Sequence, residues 1–173
     1  VVIMAAIGSL YSVNDAARKV EAMRNTLDNL NFAIESMSRT IRTGTDIVCG
    51  GTVAMGSTNN CTFSDAFASP GSRISVMSTL GTVGLVEYRW VINPVTNTGL
   101  IEKYVDGDWV AITAPSIDIQ HLSFYVDGAD DTTSASDDFK QPNVIMLIQG
   151  VATVGEDVAP FAVQTLVTSR TIE

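Results

Sequence analysis

The first 43 residues carry one unbroken helical pattern, and no other feature of the chain restricts its fold as strongly. Apolar residues recur at alternating steps of three and four from Val13 to Ile41, which is a heptad-type stripe. The segment contains no proline, and its only glycine is Gly8. The pattern predicts a helix that ends at Gly44, where glycine takes the left-handed conformation that closes a helix. Because such a helix is about 65 Å long, one end is expected to project and to need a partner.

The stripe is expected to have two parts with different partners. Its C-terminal part is expected to cover a sheet face of the same chain, and its N-terminal part to pack against neighbouring helices. Six positions are predicted to carry assembly: Val13, Ala16, Val20, Met23, Leu27 and Leu30. A core helix of a soluble domain is the alternative, but a chain of 173 residues cannot surround a helix this long.

Residues 1–13 contain no charged side chain. Alone they reach about 20 Å, which is short of the roughly 30 Å hydrocarbon core of a bilayer. We expect them to be the visible part of a longer apolar segment that begins upstream of Val1. Small residues such as Ala5, Ala6 and Gly8 are typical of segments where helices approach closely, in lipid or in a dry bundle.

The remaining residues change to short β-rich runs separated by turn residues. Strands are predicted at 73–79, 82–92, 100–105, 109–112, 117–126, 144–154 and 161–172. A tight hairpin is expected at Asp106–Asp108, and a loop at Gly155–Pro160. The sequence therefore predicts an α+β fold, with a long N-terminal α-helix packed on an antiparallel β-sheet head. Residues 1–44 are assigned to the helix (1–13 apolar membrane or filament-core segment, 14–44 amphipathic) and 45–173 to the head.

Charge is divided unevenly along the chain. Residues 1–44 carry five Lys or Arg against four Asp or Glu, whereas residues 45–173 carry five against fifteen. The head is therefore acidic and has no basic cluster. Since affinity for nucleic acid depends on Lys and Arg that neutralise phosphates, no direct nucleic-acid partner is expected.

The two cysteines, Cys49 and Cys61, flank a loop rich in glycine and asparagine. A disulfide between them would stabilise the fold by about 3 kcal/mol and would imply an oxidising, extracytoplasmic compartment. Two unrelated core thiols are the alternative. A zinc site is the least favoured interpretation, because no histidine lies near the two cysteines in the sequence.

No catalytic motif is present, and no enzymatic activity is predicted. His121 is the only histidine and lies within a predicted strand, and the phosphate-binding and nucleophile-elbow motifs are absent. Neither a cofactor nor a metal is expected, with one low-ranking exception. The loop 127–138 is dense in carboxylates that suit Ca²⁺, although it lacks EF-hand spacing and a solvated loop is favoured. The candidate ligands are Asp127, Asp130, Asp131, Asp137 and Asp138.

Taken in order, these segments resemble a type IV pilin-like protein over essentially the whole chain. The resemblance lies in the apolar start, the helix with LDNLNFAIESMSRTIRTG, and the β-rich remainder. The segments IQHLSFYV, QPNVIMLIQGVAT and FAVQTLVTSR are most similar to the minor pseudopilin J or minor pilin type. The family's N-terminal aromatic residue and fifth-position Glu have no counterpart in this sequence.

The resemblance implies a structural subunit of an extracytoplasmic filament, either a type IV pilus or a type II secretion pseudopilus. Such a subunit is held in the cytoplasmic membrane and is then extracted by assembly machinery. It polymerises with copies of itself or with other pilin-like subunits into an extracellular or periplasmic fibre. The alternative is an adhesin or receptor head displayed on a helical stalk or at a filament tip. An exposed groove or aromatic cluster on the head would favour that alternative.

Overall fold

The computed structural model describes residues 2–50, 60–61, 72–78, 84–129, 141–154 and 157–170, with side chains from residue 13 onward except 15, 22 and 157. A helix, α1 (Val2–Thr43), comes first. The described strands are β1 (Thr45–Cys49), β2 (Arg73–Ser78), β3 (Gly84–Ile92), β4 (Gly99–Val105), β5 (Asp108–Ala111), β6 (Ile117–Asp127), β7 (Asn143–Val154) and β8 (Asp157–Thr168).

The strands form two antiparallel sheets. The first has the order β1-β2-β3-β4-β5 and the second the order β6-β7-β8. Strands β7 and β8 pair along their whole length, from Asn143 opposite Thr168 to Val154 opposite Asp157. In both sheets each strand pairs with the strand next to it in the sequence, so each sheet is an antiparallel meander.

The predicted α+β class, a long helix on one antiparallel sheet, is wrong: the chain is mainly β, with two antiparallel sheets. The physical reason is the width that a helix can cover. A helix about 10 Å across lies over roughly two strands spaced 4.8 Å apart, so it cannot bury a face of eight strands. The chain instead leaves the first sheet after β5 and packs β6 of the second sheet against β4 of the first. Each sheet thereby buries much of the other's apolar face.

Among the α1 side chains that the structure describes, the buried ones lie between Thr26 and Ile41. The apolar residues in this group are Leu30, Ala33, Ile34, Met37 and Ile41. They contact mainly β7, β8 and β2. A hydrogen bond of 2.9 Å between the hydroxyls of Thr40 and Tyr88 fixes the helix against β3. The helix is therefore anchored to the head by its last four turns or so.

Gly44 follows the helix, but its expected left-handed conformation is not found, because its φ angle is not positive. Glycine is required here because there is no room for a Cβ atom. A Cβ atom at position 44 would meet the Val76 side chain and lie 2.9 Å from the carbonyl oxygen of Met77. The helix end thus approaches β2 too closely for any other residue.

Two further strand expectations need correction. The sequence analysis did not predict β1, because a strand of five residues is too short to show a clear alternation of apolar and polar residues. The expected loop Gly155–Pro160 is also wrong, because β8 begins at Asp157 and includes Pro160 opposite Val151. Proline is tolerated in β8 because β8 stands at the end of its sheet, where a missing N–H need not break a ladder. The predicted hairpin at Asp106–Asp108 is confirmed: Val105 pairs with Asp108, and the two residues between them, Asp106 and Gly107, have positive φ.

The two sheets are joined by specific polar contacts as well as by the core. The Trp90 indole N–H donates to the carbonyl oxygen of Ile119 at 2.6 Å, and the Gly99 N–H donates to Asp118 Oδ1 at 2.6 Å. A Cβ on Gly99 would meet Ile119. These contacts hold the ends of β3 and β4 against β6.

Candidate assembly surface

The N-terminal part of the helical stripe lies outside the core. Val13 is 68% exposed, Val20 66% and Leu27 37%. Ala16 is also exposed, and Met23 is half-buried. Leu30, the last of the six predicted assembly residues, is 1% exposed and belongs to the core of its own chain. The structure therefore places five of the six on one accessible helix face, which we call the stem stripe (Val13, Ala16, Val20, Met23 and Leu27).

The stem stripe continues directly into the buried face of the helix. Beyond Leu27 the same three-four repeat passes through Leu30, Ile34, Met37 and Ile41, all of which the head buries. Over Val13–Leu27 the repeat covers about 20 Å of helix, equivalent to four turns. A narrow apolar seam with a spacing of 3.5 residues is the geometry that packs against another helix.

Small and charged residues border the stem stripe. A shallow depression on this side of the helix is lined by Ala16, Ala17, Val20, Glu21 and Arg24. Lys19 and Arg24 flank the stripe on its two sides and are both exposed. Sequence reasoning missed these two flanking cations, although the heptad spacing was sufficient to find them.

The structure joins Cys49 and Cys61 in a disulfide, with Cα atoms 5.8 Å apart. Cys49 ends β1 in the first sheet, and Cys61 pairs with Val126 of β6 in the second through two hydrogen bonds of 3.0 Å. The bridge therefore ties the edge of one sheet to the edge of the other. Both half-cystines are buried.

Four of the five candidate calcium ligands, Asp130, Asp131, Asp137 and Asp138, lie outside the described residues. Asp127 ends β6 and is exposed. Across the ranges that the structure describes, no group of three or more His, Cys, Asp or Glu side chains is placed to hold a metal ion. The absence of a cofactor and of a metal remains a prediction.

His121 forms a hydrogen bond with a serine on the same strand. Its Nε2 lies 2.7 Å from Ser123 Oγ, with Ser123 buried and His121 exposed. A Ser–His pair becomes an acyl-transfer site when a third group orients the imidazole and donors hold the oxyanion. Among the described hydrogen bonds, none links His121 to a carboxylate. The absence of enzymatic activity likewise remains a prediction.

An aromatic and ionic cluster lies on one face of the first sheet. Arg73 pairs with the buried Glu87, and Arg89 donates to Glu102 Oε2 at 2.8 and 2.7 Å. The Arg89 guanidinium lies 3.6 Å from the centre of the Trp109 ring. Equal numbers of Arg and Glu leave the cluster neutral, and the indole face is already occupied. Its contacts therefore fasten the β4–β5 hairpin to the sheet.

In the part of the chain that the structure describes, no helix is both long and apolar enough to cross a bilayer. No family model, no curated protein and no solved structure matches the chain.

Proposed function

We propose that the chain is a structural subunit of a helical filament, of the type IV pilus or type II secretion pseudopilus kind, and that it assembles through its N-terminal helix. One observation carries the proposal: a single heptad repeat is buried by its own head from Leu30 onward, whereas its members from Val13 to Leu27 are exposed or half-buried. Burial of the stem stripe against neighbouring helices, at about 25 cal/mol per Å² of apolar surface, supplies the driving force.

The shape of the stem stripe favours a helix as the occupant. Helices that lie on a membrane surface carry a broad apolar face, whereas the stem stripe is a narrow seam flanked by Lys19 and Arg24. A second copy of the chain supplies a matching seam. Self-association is therefore the interaction that the described surface fits best.

The expected compartment, the membrane-bound stage and the assembly machinery form part of the same proposal. The disulfide supports an oxidising compartment outside the cytoplasm. The subunit would be held in the cytoplasmic membrane before assembly, and pilus or secretion machinery would move it into an extracellular or periplasmic fibre. An adhesin or receptor head is less favoured, because the aromatic cluster at Trp109 is filled by Arg89 of the same chain.

The test replaces one exposed apolar side chain on the stem stripe and one elsewhere on the helix. Val20→Asp is expected to abolish self-association, measured by sedimentation velocity and electron microscopy, while the melting temperature changes little. Phe32→Asp is the matched control, because Phe32 is 72% exposed but lies off the stripe. Normal assembly of Val20→Asp, or equal loss in both variants, would exclude the stem stripe as the assembly surface.

A further inference from the structure

Strand β8 forms one edge of the second sheet, and this edge is long and uncharged. From Val158 to Thr168 the strand carries no charged side chain. It pairs with β7 on one side, and no strand follows it in the order of the sheet. Proteins usually protect such an edge with a charge, a bulge or a cover, because its free N–H and C=O groups can pair with another chain.

The direction of the free backbone groups in β8 follows from one hydrogen bond. The N–H of Ser169 donates to the carbonyl oxygen of Pro142 at 2.9 Å, and the register of β7 and β8 continues from there without a bulge. Because the direction alternates along a strand, the odd-numbered residues of β8 face β7 and the even-numbered residues face outward. Pro160 belongs to the outward set, so β7 loses no donor. The even-numbered side chains from Val158 to Thr168 are all exposed.

The open part of this edge runs from Ala162 to Thr168. Pro160 has no N–H, which ends the row of donors on one side. On the other side the Arg170 N–H already donates to the carbonyl oxygen of Arg42 at the end of α1. Between these limits no hydrogen bond of the described residues reaches an outward N–H or C=O group of β8. The open part is about 20 Å long, which suits a segment of about seven residues.

The other strand edges that the structure describes are protected. Strand β1 has five residues, its register is irregular between Thr45 and Val48, and Asp46 has a positive φ. Strand β5 has only four residues. The second edge of β6 is bonded to Cys61 through Val126. Among the described edges, β8 is therefore the one that can accept a long strand.

Apolar side chains accompany the β8 edge on the outer face of the second sheet. Leu166 is 62% exposed and lies opposite Ile145 of β7, which in turn lies opposite Tyr125 of β6. These three side chains form a row that ends at the edge. A strand added beside β8 would extend the row, because directly opposite residues of adjacent strands are neighbours on the same face. An apolar side chain at every second position of the added strand fits this surface.

We propose that the β8 edge between Ala162 and Thr168 binds an extended, uncharged segment of a partner polypeptide, which joins the second sheet as an additional strand. In this mode of recognition, main-chain hydrogen bonds supply the affinity, and the side chains at alternate positions supply the specificity. The outward N–H groups of Ala162, Gln164, Leu166 and Thr168 are the donors.

A second copy of β8 does not fit as the occupant, and this step rests on the proposed filament function. Two antiparallel β8 strands would be related by a two-fold axis perpendicular to the sheet. Since α1 lies against the second sheet from Leu30 to Ile41, this axis would reverse the helix of one copy. Subunits held in one membrane enter it from the same side, so their helices run in the same direction. The β1 and β5 edges of another copy are too short to fill the open part.

A synthetic peptide tests the proposal on the full chain. The probe is an acetylated and amidated heptapeptide of alternating threonine and valine, which carries no charge. In the free protein, amide hydrogen exchange measured by NMR is expected to be fast at Ala162, Gln164 and Leu166 and slow at Val163 and Thr165. The peptide is expected to slow exchange at the first three amides. No binding at millimolar peptide, or binding that leaves these three amides unprotected, would overturn the proposal.

Gln164→Pro removes one outward N–H from the middle of the open edge. Pairing with β7 is expected to persist, because Pro160 is accommodated at an equivalent outward position, and an unchanged melting temperature verifies this. The affinity for the peptide is expected to fall roughly tenfold or more, because a carbonyl oxygen of the peptide loses its donor. Gln164→Thr is the matched control, since it keeps the N–H and should bind as the unchanged chain does. Equal affinity in the two variants would exclude the edge as the site.

Sedimentation velocity and electron microscopy separate this inference from the filament function. Gln164→Pro is expected to form fibres normally because the stem stripe is unchanged, whereas Val20→Asp is expected to lose fibres and keep peptide binding. Peptide binding by a chain that forms no fibres would contradict the filament function and support the edge site. A dimer that Gln164→Pro abolishes and Val20→Asp retains would assign the edge to a second copy, which overturns the partner polypeptide.

Discussion

The hydroxyl of Ser169 donates a hydrogen bond of 3.0 Å to the carbonyl oxygen of Gly44, 125 positions earlier in the chain. The neighbouring N–H of Arg170 donates to the carbonyl oxygen of Arg42 at 3.0 Å. Carbonyls at the end of a helix have no partner within the helix. The segment that follows β8 therefore supplies the C-terminal cap of α1, and it fixes the direction in which the helix leaves the head.

Ser169→Ala is expected to lower the free energy of unfolding by about 1–3 kcal/mol, because Ser169 is buried and the Gly44 carbonyl loses its donor. Urea denaturation measures the change. Thr168→Ala is the adjacent control, since its hydroxyl bonds the Asn143 side chain at an exposed site. A loss in Thr168→Ala as large as that in Ser169→Ala would contradict a role for the helix cap.

Leu27 and Leu30 are consecutive positions of one stripe and are expected to respond in opposite ways. Leu30→Ala should destabilise the subunit by about 2–5 kcal/mol, since it empties part of a packed core. Leu27→Asp should abolish filaments with little loss of subunit stability, because it places a carboxylate in the packed seam only on assembly. Denaturation of the monomer and fibre yield, measured on both variants, separate the two effects. Normal filaments from Leu27→Asp would contradict the bundle.

Removal of the disulfide is expected to destabilise the chain by about 3 kcal/mol, since it frees a loop that spans 12 positions. Guanidinium denaturation of the Cys49→Ala and Cys61→Ala double variant measures this loss. Mass spectrometry of the exported, non-reduced protein should find no free thiol. Two free thiols would remove the argument for an oxidising compartment.

Glu87→Ala is expected to lower the free energy of unfolding by about 3 kcal/mol, because it leaves the half-buried Arg73 guanidinium without the carboxylate that pairs with it. The double variant Arg73→Ala and Glu87→Ala should lose less than the sum of the two single variants. A thermodynamic cycle from four denaturation curves measures this coupling. Strict additivity would mean that the pair contributes no interaction energy.

Calcium is expected to leave the melting temperature unchanged at millimolar concentration, since a solvated loop is the favoured reading of residues 127–138. Binding to the folded chain would raise the melting temperature by mass action. If a rise is seen, replacing Asp130 and Asp131 with Asn tests whether this loop is responsible. A calcium-dependent rise that the double variant loses would establish a cation site there.

The sequence alone determined the features that depend on near neighbours. The helix, the stripe from Val13 to Ile41 and the turn at Asp106–Gly107 follow from local periodicity and backbone preference, and these signals are present in any short window. The pairing of Cys49 with Cys61 was favoured for a similar reason, because a short loop limits where the two sulfurs can be. The acidic head likewise follows from composition.

Only the tertiary structure decided where the stripe changes its role, between Leu27 and Leu30, and how the strands divide into two sheets. Both depend on which apolar face lies against which other face, and residues far apart in the sequence fix that choice. Trp90 meets Ile119 and Ser169 meets Gly44 only after the sheets have packed. Apolar residues spaced every 2 or 3.5 positions show that one face of a strand or helix is apolar, but they do not show which other face covers it. For this reason the sequence predicted the helical stripe but not the second sheet.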